Sequence, residues 1–167
     1  YQFDDALGFI DGNATVSLDG KYGIINNSGE YIINPQYSGI FNDGEFYKII
    51  QDKKHGWVDK EGKYLINPQF DDAILFLGND LSPVKISKDW GYVNKEGKII
   101  INGQFQRAFP FIGDKAIVKL GDSYGVIDKE GKYVVNPQFK DIGSDLIMYL
   151  LKPIVQGCIK SEIETDF

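Results

Sequence analysis

A chain that repeats itself at a fixed period of a few tens of residues must fold as a row of like units, because no single unit of that length can bury its own apolar faces. Four blocks carry the repeat here: Tyr22-Gly23-Ile24-Ile25, His55-Gly56-Trp57-Val58, Trp90-Gly91-Tyr92-Val93 and Tyr124-Gly125-Val126-Ile127, with their glycines 33, 35 and 34 residues apart. Six residues after each comes a second glycine (Gly29, Gly62, Gly97, Gly131), and eleven after each an asparagine (Asn34, Asn67, Asn102, Asn136). In three copies that asparagine opens Asn-Pro-Gln-Tyr or Asn-Pro-Gln-Phe, through Pro35, Pro68 and Pro137 to Tyr37, Phe70 and Phe139. The remaining copy reads Asn102-Gly103-Gln104-Phe105, and Gln2-Phe3 matches the end of the same motif. The array therefore reads as a partial repeat over 1–21, repeats starting near 22, 55, 90 and 124, and a divergent cap or tail over 144–167 after an array that ends at 143.

Each unit has a physical reading. Gly56-Trp57-Val58 and its equivalents are β-branched or aromatic and read as strands. Asp59-Lys60-Glu61-Gly62 and its echoes place Asp or Asn where a side chain accepts local backbone N–H groups. Glycine stands where a type I turn with a G1 bulge needs a left-handed residue. Lys63-Tyr64-Leu65-Ile66 is the return strand, and the proline that follows is expected to end the ladder. Phe46 to Gln51, Ser82 to Ser87 and Lys115 to Leu120 read as strands antiparallel to the next hairpin. That makes three short strands per period. The turn register places Val58 and Ile66 on one core face; the opposite face is also largely apolar. The expected fold is all-β: antiparallel hairpins or meanders stacked into an elongated or curved array. The alternative is a closed barrel- or propeller-like body, disfavoured because propeller blades have four strands.

Composition narrows the function classes. The 167 residues carry 18 Lys and Arg against 24 Asp and Glu, a formal net charge of −6. Without a basic run this argues against nucleic-acid binding, and no segment is apolar for long enough to span a membrane as a helix. One cysteine, Cys158, excludes an internal disulfide and a cysteine zinc cage. The one histidine, His55, fills an aromatic position of the repeat. Asp4-Asp5 and Asp71-Asp72 follow the motif in two copies, whereas other copies have different residues there, so they read as solvated loop positions. No catalytic residue, metal ligand or cofactor is assigned. Phe41, Phe46, Tyr47, Phe76, Phe109 and Phe111 fall outside the hairpins, in connections read as not equivalent between copies, and form the candidate interaction surface. The chain opens on Tyr1 and its one methionine is Met148, as in a fragment or processed product. An exposed upstream edge able to pair two copies into a dimer is the expectation that follows.

The stretch Lys54-His55-Gly56-Trp57-Val58-Asp59-Lys60-Glu61-Gly62-Lys63-Tyr64-Leu65-Ile66-Asn67-Pro68-Gln69-Phe70 resembles the unit of the WG-repeat (KWG-repeat) proteins. Asp89-Trp90-Gly91-Tyr92-Val93-Asn94 keeps the Trp-Gly pair itself, Tyr22 and Tyr124 replace its tryptophan, and His55 departs from it. The structural signature is thus Gly23, Gly56, Trp57, Trp90, Gly91 and Gly125 with Pro35, Pro68 and Pro137. The resemblance implies a mostly bacterial tandem β-repeat protein without a general catalytic activity. The expected function is a non-catalytic scaffold that binds a protein or peptide; the alternative is a glycan- or cell-wall-binding array. An extracytoplasmic or cell-surface setting is the expected compartment.

Overall fold

A computed structural model describes residues 2–143 together with Ile147. The described residues form four antiparallel sheets of four strands each, every sheet a meander in chain order. The first sheet is β1 (Asp5–Ala6), β2 (Asn13–Leu18), β3 (Lys21–Asn26) and β4 (Tyr31–Tyr37). The second is β5 (Gly39–Asp43), β6 (Phe46–Gln51), β7 (Lys54–Val58) and β8 (Tyr64–Phe70). The third is β9 (Asp72–Ala73), β10 (Leu81–Ile86), β11 (Asp89–Asn94) and β12 (Ile99–Phe105). The fourth is β13 (Arg107–Ala108), β14 (Lys115–Leu120), β15 (Ser123–Asp128) and β16 (Tyr133–Phe139). The expected cap or tail, with Cys158, lies outside the described residues apart from Ile147. No helix among the described residues is long and apolar enough to cross a membrane.

Three features differ from the sequence reading. Each unit has four strands, not three. The added strand follows the motif's closing aromatic after one residue and is two residues long in three of the sheets, too short to register as a pattern. Four strands is the propeller-blade count, so strand number does not separate the two architectures; the sheets stack in sequence, with no closed barrel among the described residues. Second, Pro35, Pro68 and Pro137 lie inside β4, β8 and β16 rather than ending them. Those are last strands of their sheets, where a missing N–H is tolerated. Third, Val58 and Ile66 face opposite ways. Val58 pairs with Tyr64, but Trp57 pairs with Ile66 and His55 with Phe70, so bulges in β8 shift the register twice. A one-residue slip exchanges the faces of a strand.

The bulged strand explains the repeat's first glycine. At Gly56 the β7 backbone runs directly against the displaced Ile66–Pro68 segment. A Cβ there would sit 2.5 Å from the Ile66 carbonyl oxygen and 2.7 Å from the Pro68 nitrogen. Gly23, Gly91 and Gly125 meet the same segment of their own units. The second glycine answers a different need. Gly62 has φ +88°, its N–H donates to the Asp59 carbonyl at 3.1 Å, and Asp59 Oδ1 accepts the N–H groups of Glu61 and Lys63 at 3.1 and 2.7 Å. Asp128 holds its turn in the same way, and Asn94 Oδ1 accepts the Lys98 N–H of its own.

The core consists of layers between sheets. One layer joins Ile24, Ile33 and Tyr37 of the first sheet to Ile40, Tyr47, Ile49 and Val58 of the second. The next joins Trp57, Ile66 and Phe70 to Ala73, Phe76, Val84 and Val93. The third joins Tyr92, Ile101 and Phe105 to Ala108, Phe111, Ala116, Val118 and Ile127. The second and third sheets are thus apolar on both faces and buried by a neighbour on each side; the end sheets meet one described neighbour each.

Replacing Gly56 with alanine should cost about 2–3 kcal/mol, because backbone rather than a flexible side chain occupies the Cβ position. Gly8→Ala, where nothing lies within 4 Å of the added carbon, should stay within about 0.5 kcal/mol. Urea midpoints of the two variants, compared at equal slope, check the contrast.

Candidate interaction surface

In a four-stranded meander the first and third connections emerge at one end. Here that end gathers the loops 7–12, 44–45, 74–80 and 109–114 with the Asx-type turns that follow β3, β7, β11 and β15. The side-chain contacts agree. Lys60 Nζ donates to Asn42 Oδ1 at 2.9 Å, Lys95 lies 3.8 Å from Glu45, and Lys129 lies 3.2 Å from Asp80. Three of the four turns thus carry a lysine that reaches an oxygen of its own or the preceding unit; the turn after β3, Asn27-Ser28-Gly29-Glu30, has none. Burial lowers the Lys60 pKa, with Asp11 and Asp43 pulling the other way. Its ammonium stands 4.0 Å from the centre of the Tyr47 ring.

Clefts open at this end between successive sheets. The cleft between the third and fourth encloses about 410 Å³ and is lined largely by charged side chains, among them Asp80, Lys95, Glu96 and Lys129. The one between the second and third, about 290 Å³, is bounded by Glu45, Phe46, Phe76 and Lys95. That between the first and second encloses about 240 Å³ and is mainly apolar, with Ile24, Ile40, Phe41 and Tyr47 among its walls.

Under these openings each unit is fastened to the next. Trp57 is 1% exposed, and its indole N–H donates to Asp43 Oδ2 at 3.0 Å. The buried Asp43 carboxylate also accepts the backbone N–H groups of Phe76 and Leu77, at 2.8 and 3.0 Å, from the following unit. Three donors on one buried carboxylate satisfy most of its acceptor capacity. At the next junction Tyr92, Trp57's equivalent, donates its hydroxyl proton to the Phe109 carbonyl at 2.8 Å, and burial pushes its pKa up. Phe76 packs edge-on to Trp57 at 5.2 Å, and Phe111 edge-on to Tyr92 at 5.0 Å.

The six aromatic residues expected to form a common surface divide accordingly. Tyr47, Phe76 and Phe111 are buried between sheets, which removes them from any exposed patch. Phe46 is half-buried against the Trp57–Phe76 layer, and Phe109 against Ile117, Val126 and Val135. Phe41 alone of the six is open, 45% exposed. Nor are the connections all inequivalent. Phe76 and Phe111 stand twenty residues after Gly56 and Gly91, in the parallel stretches Ala73-Ile74-Leu75-Phe76-Leu77 and Ala108-Phe109-Pro110-Phe111-Ile112. Ala6-Leu7-Gly8-Phe9-Ile10 has the same form. That pattern was legible in the sequence. Among the exposed large side chains at this end are Leu7, Phe9, Ile10, Phe41, Leu77 and Ile112, a set that sequence reasoning missed apart from Phe41; Tyr31, Tyr64, Ile99 and Tyr133, opening the last strands just past the turns, are exposed too. Trp57, enclosed, offers no ring to solvent, and Trp90 is half-buried.

His55 keeps its repeat position on the face toward the third sheet. Its Nε2 lies 3.8 Å from Asp72 Oδ1, and Nδ1 is buried without a hydrogen-bond partner. Lys48, whose Nζ donates to the Ala73 carbonyl at 2.8 Å, belongs to the same junction. Burial lowers the His55 pKa, the Lys48 charge lowers it further, and Asp72 opposes both. No group of three or more His, Cys, Asp or Glu placed to hold a metal ion occurs among the described residues.

The model of the WG containing repeat matches five successive stretches, 1–22, 22–54, 56–88, 90–123 and 124–145. The chain belongs to the WG containing repeat family. No curated protein matches its sequence. Among solved structures it is similar to a eukaryotic initiation factor, with a TM-score of 0.58 at 9% identity over 84% of this chain and 45% of that one. It also matches PorZ, a bacterial surface component of the type-IX secretion system of Porphyromonas gingivalis, with a TM-score of 0.49 at 10% identity over 81% and 21% of the two chains. A hemopexin fold protein, CP4 from cow pea, gives 0.32 at 12% identity over 92% and 98%. At such identities the first of these likenesses speaks for the fold alone, and the other two carry no argument. The WG-repeat chain spans less than half of the initiation factor chain.

The depressed His55 pKa sets a pH window. Folding favours neutral His55, so from about pH 6.5, the ordinary histidine value, downward the unfolded chain binds the extra proton more readily. Stability should therefore drop as pH falls from 7 toward 5. His55→Phe, which keeps a ring at the position, should flatten that part of the profile. Thermal midpoints of both proteins across the interval read the difference; parallel curves would count against this account of His55.

Proposed function

We propose that this WG-repeat array is a non-catalytic module that binds a protein or peptide partner through its loop end. The reading is supported above all by the row of exposed apolar side chains there. Leu7, Phe9, Ile10, Phe41, Leu77 and Ile112 are between 44% and 61% exposed; all but Phe41, which is on β5, stand on connections over a repeated frame. Surfaces that bind are commonly built this way, with variable loops on a rigid scaffold and apolar groups left uncovered. The lysines Lys60, Lys95 and Lys129, one on each of three turns, add a polar border suited to fixing orientation. Asp43, the buried acid of this end, is already held by three structural donors, which favours a structural part for it over acid–base chemistry.

Selection of a random peptide library on the immobilised chain tests the proposal. Binders are expected. Combining Leu77→Asp with Ile112→Asp should weaken them about tenfold or more, which corresponds to about 1.4 kcal/mol, while Lys53→Glu at the opposite end should leave them nearly unchanged. A library that yields nothing, or binders indifferent to the loop-end changes, would overturn it.

A further inference from the structure

The three inter-sheet junctions are built alike but are not filled alike. At the second–third junction two large rings meet under the opening, Trp57 from the earlier sheet and Phe76 from the later loop. At the third–fourth junction the pair is Tyr92 and Phe111. Both pairs face a small residue on the later sheet, Ser82 and Ala116, at the position that pairs with Val93 and Ile127. At the first–second junction the Trp57 position holds Ile24, and no phenylalanine arrives from the later loop. The reason lies in the connection between β5 and β6. It is two residues long, Gly44 and Glu45, where β9–β10 and β13–β14 have seven and six. Strand β5 continues over the stretch that elsewhere carries the ring inward. Tyr47, equivalent to Ser82 and Ala116, compensates in part by placing one ring between the sheets. One ring thus stands where the other junctions hold two.

What sets this junction apart is not the size of its cleft, about 240 Å³, but the lining, which is mainly apolar where the clefts at the other two carry Lys95 with acidic side chains; Leu75 of the third unit also reaches it. Ile24, Ile40 and Tyr47 form its walls, and Leu7, Ile10 and Phe41, each exposed, stand at its mouth. The Tyr47 hydroxyl is held by Asn13 Nδ2 at 3.2 Å, so the ring that remains is fixed in place. A closed apolar cavity of about 150 Å³ is enough for a benzene ring in other proteins. This one is larger, and it is open to solvent.

We propose that this cleft receives an aromatic side chain of a protein or peptide partner, seated where Phe76 and Phe111 sit at the other two junctions. The occupant's chemistry is argued from the chain itself: the same frame, at two equivalent places, accepts a phenyl ring presented by an extended loop segment. The partner's backbone then lies over the mouth, against Leu7, Ile10 and Phe41, in the place of the missing loop. This deepens the binding reading above and rests on it.

Two measurements test the cleft and that reading separately. N-acetyl-phenylalanine amide, titrated into protein with labelled isoleucine methyl groups, should shift the Ile24 and Ile40 signals saturably at millimolar concentration. N-acetyl-alanine amide should not. Peptides selected on the wild-type chain should be enriched in an aromatic residue and should weaken about tenfold or more on Ile24→Trp, which places in the cleft the ring found at its equivalent. Leu7→Asp, at an exposed site where folding is not at stake, should weaken them as well. If the capped phenylalanine leaves both methyl signals unmoved, the cleft takes no ring and the proposal fails. Selected peptides that bind wild type and both variants equally would also sink it, while leaving the broader binding reading intact. Binding of the capped amino acid with peptides that avoid the cleft would show a site for small free aromatics, and the peptide assignment would be wrong. No selected peptide of any kind would bring down the broader reading and this one with it.

Discussion

Every described sheet is apolar on both sides, and covering those faces governs the rest of the structure. A lone four-stranded meander with Ile49 and Val58 on one face and Trp57 and Ile66 on the other has no stable existence in water. It acquires one when its neighbours cover both faces, as the continuous layers from Ile24 to Ile127 do. Covering both faces requires each sheet to stay thin and regular enough for the next to lie on it. The glycine at the centre of each unit serves that requirement. It lets a bulged last strand fold back against the third strand without a side chain between them. The turn glycines extend the same economy outward. A Cβ at Gly62, Gly97 or Gly131 would touch Ile33, Ile66 or Ile101 of the preceding unit, so the turn too is part of the contact between sheets.

A frame fixed in this way leaves little freedom except in its connections. The β1–β2 type of connection changes length and composition from unit to unit, and with it the filling of the space below. Phe76 and Phe111 reach inward; Phe41, on a strand that has replaced such a loop, stays in solvent. The variation therefore has structural consequences at a place where the frame itself does not change, which is the arrangement by which repeat proteins diversify a surface.

How much of this could be read from the sequence depended on whether the information was local. The Asp59-Lys60-Glu61-Gly62 turn was legible because its hydrogen bonds are made within five residues, by side chains that leave few other conformations. The period was legible because it recurs. The pairing faces were not: Val58 and Ile66 were placed together by counting evenly from the turn, and the bulge in β8 adds a residue that even counting cannot see. The two-residue strands β9 and β13 were invisible for a related reason, since Asp72-Ala73 and Arg107-Ala108 carry no alternation to detect. At the candidate site the spacing of Phe76 and Phe111 was present in the sequence, whereas the buried role of Asp43 was not. Nothing in Asn42-Asp43-Gly44-Glu45 distinguishes the acid that lies beneath Trp57 from its solvated neighbours.

The carboxylate of Asp43 has a consequence for the order in which the protein takes shape. Two of its three donors come from Phe76 and Leu77, more than thirty residues further along. As the chain leaves the ribosome the second sheet can pair its strands, but until the next unit emerges the side of Asp43 that Phe76 and Leu77 later cover faces water, which must stand in for two of its three donors. Domains generally fold as units during synthesis, but here the natural increment of completion is a unit and the first part of its successor. At this junction, then, the polar closure trails the second unit's own synthesis and is made only as the third emerges.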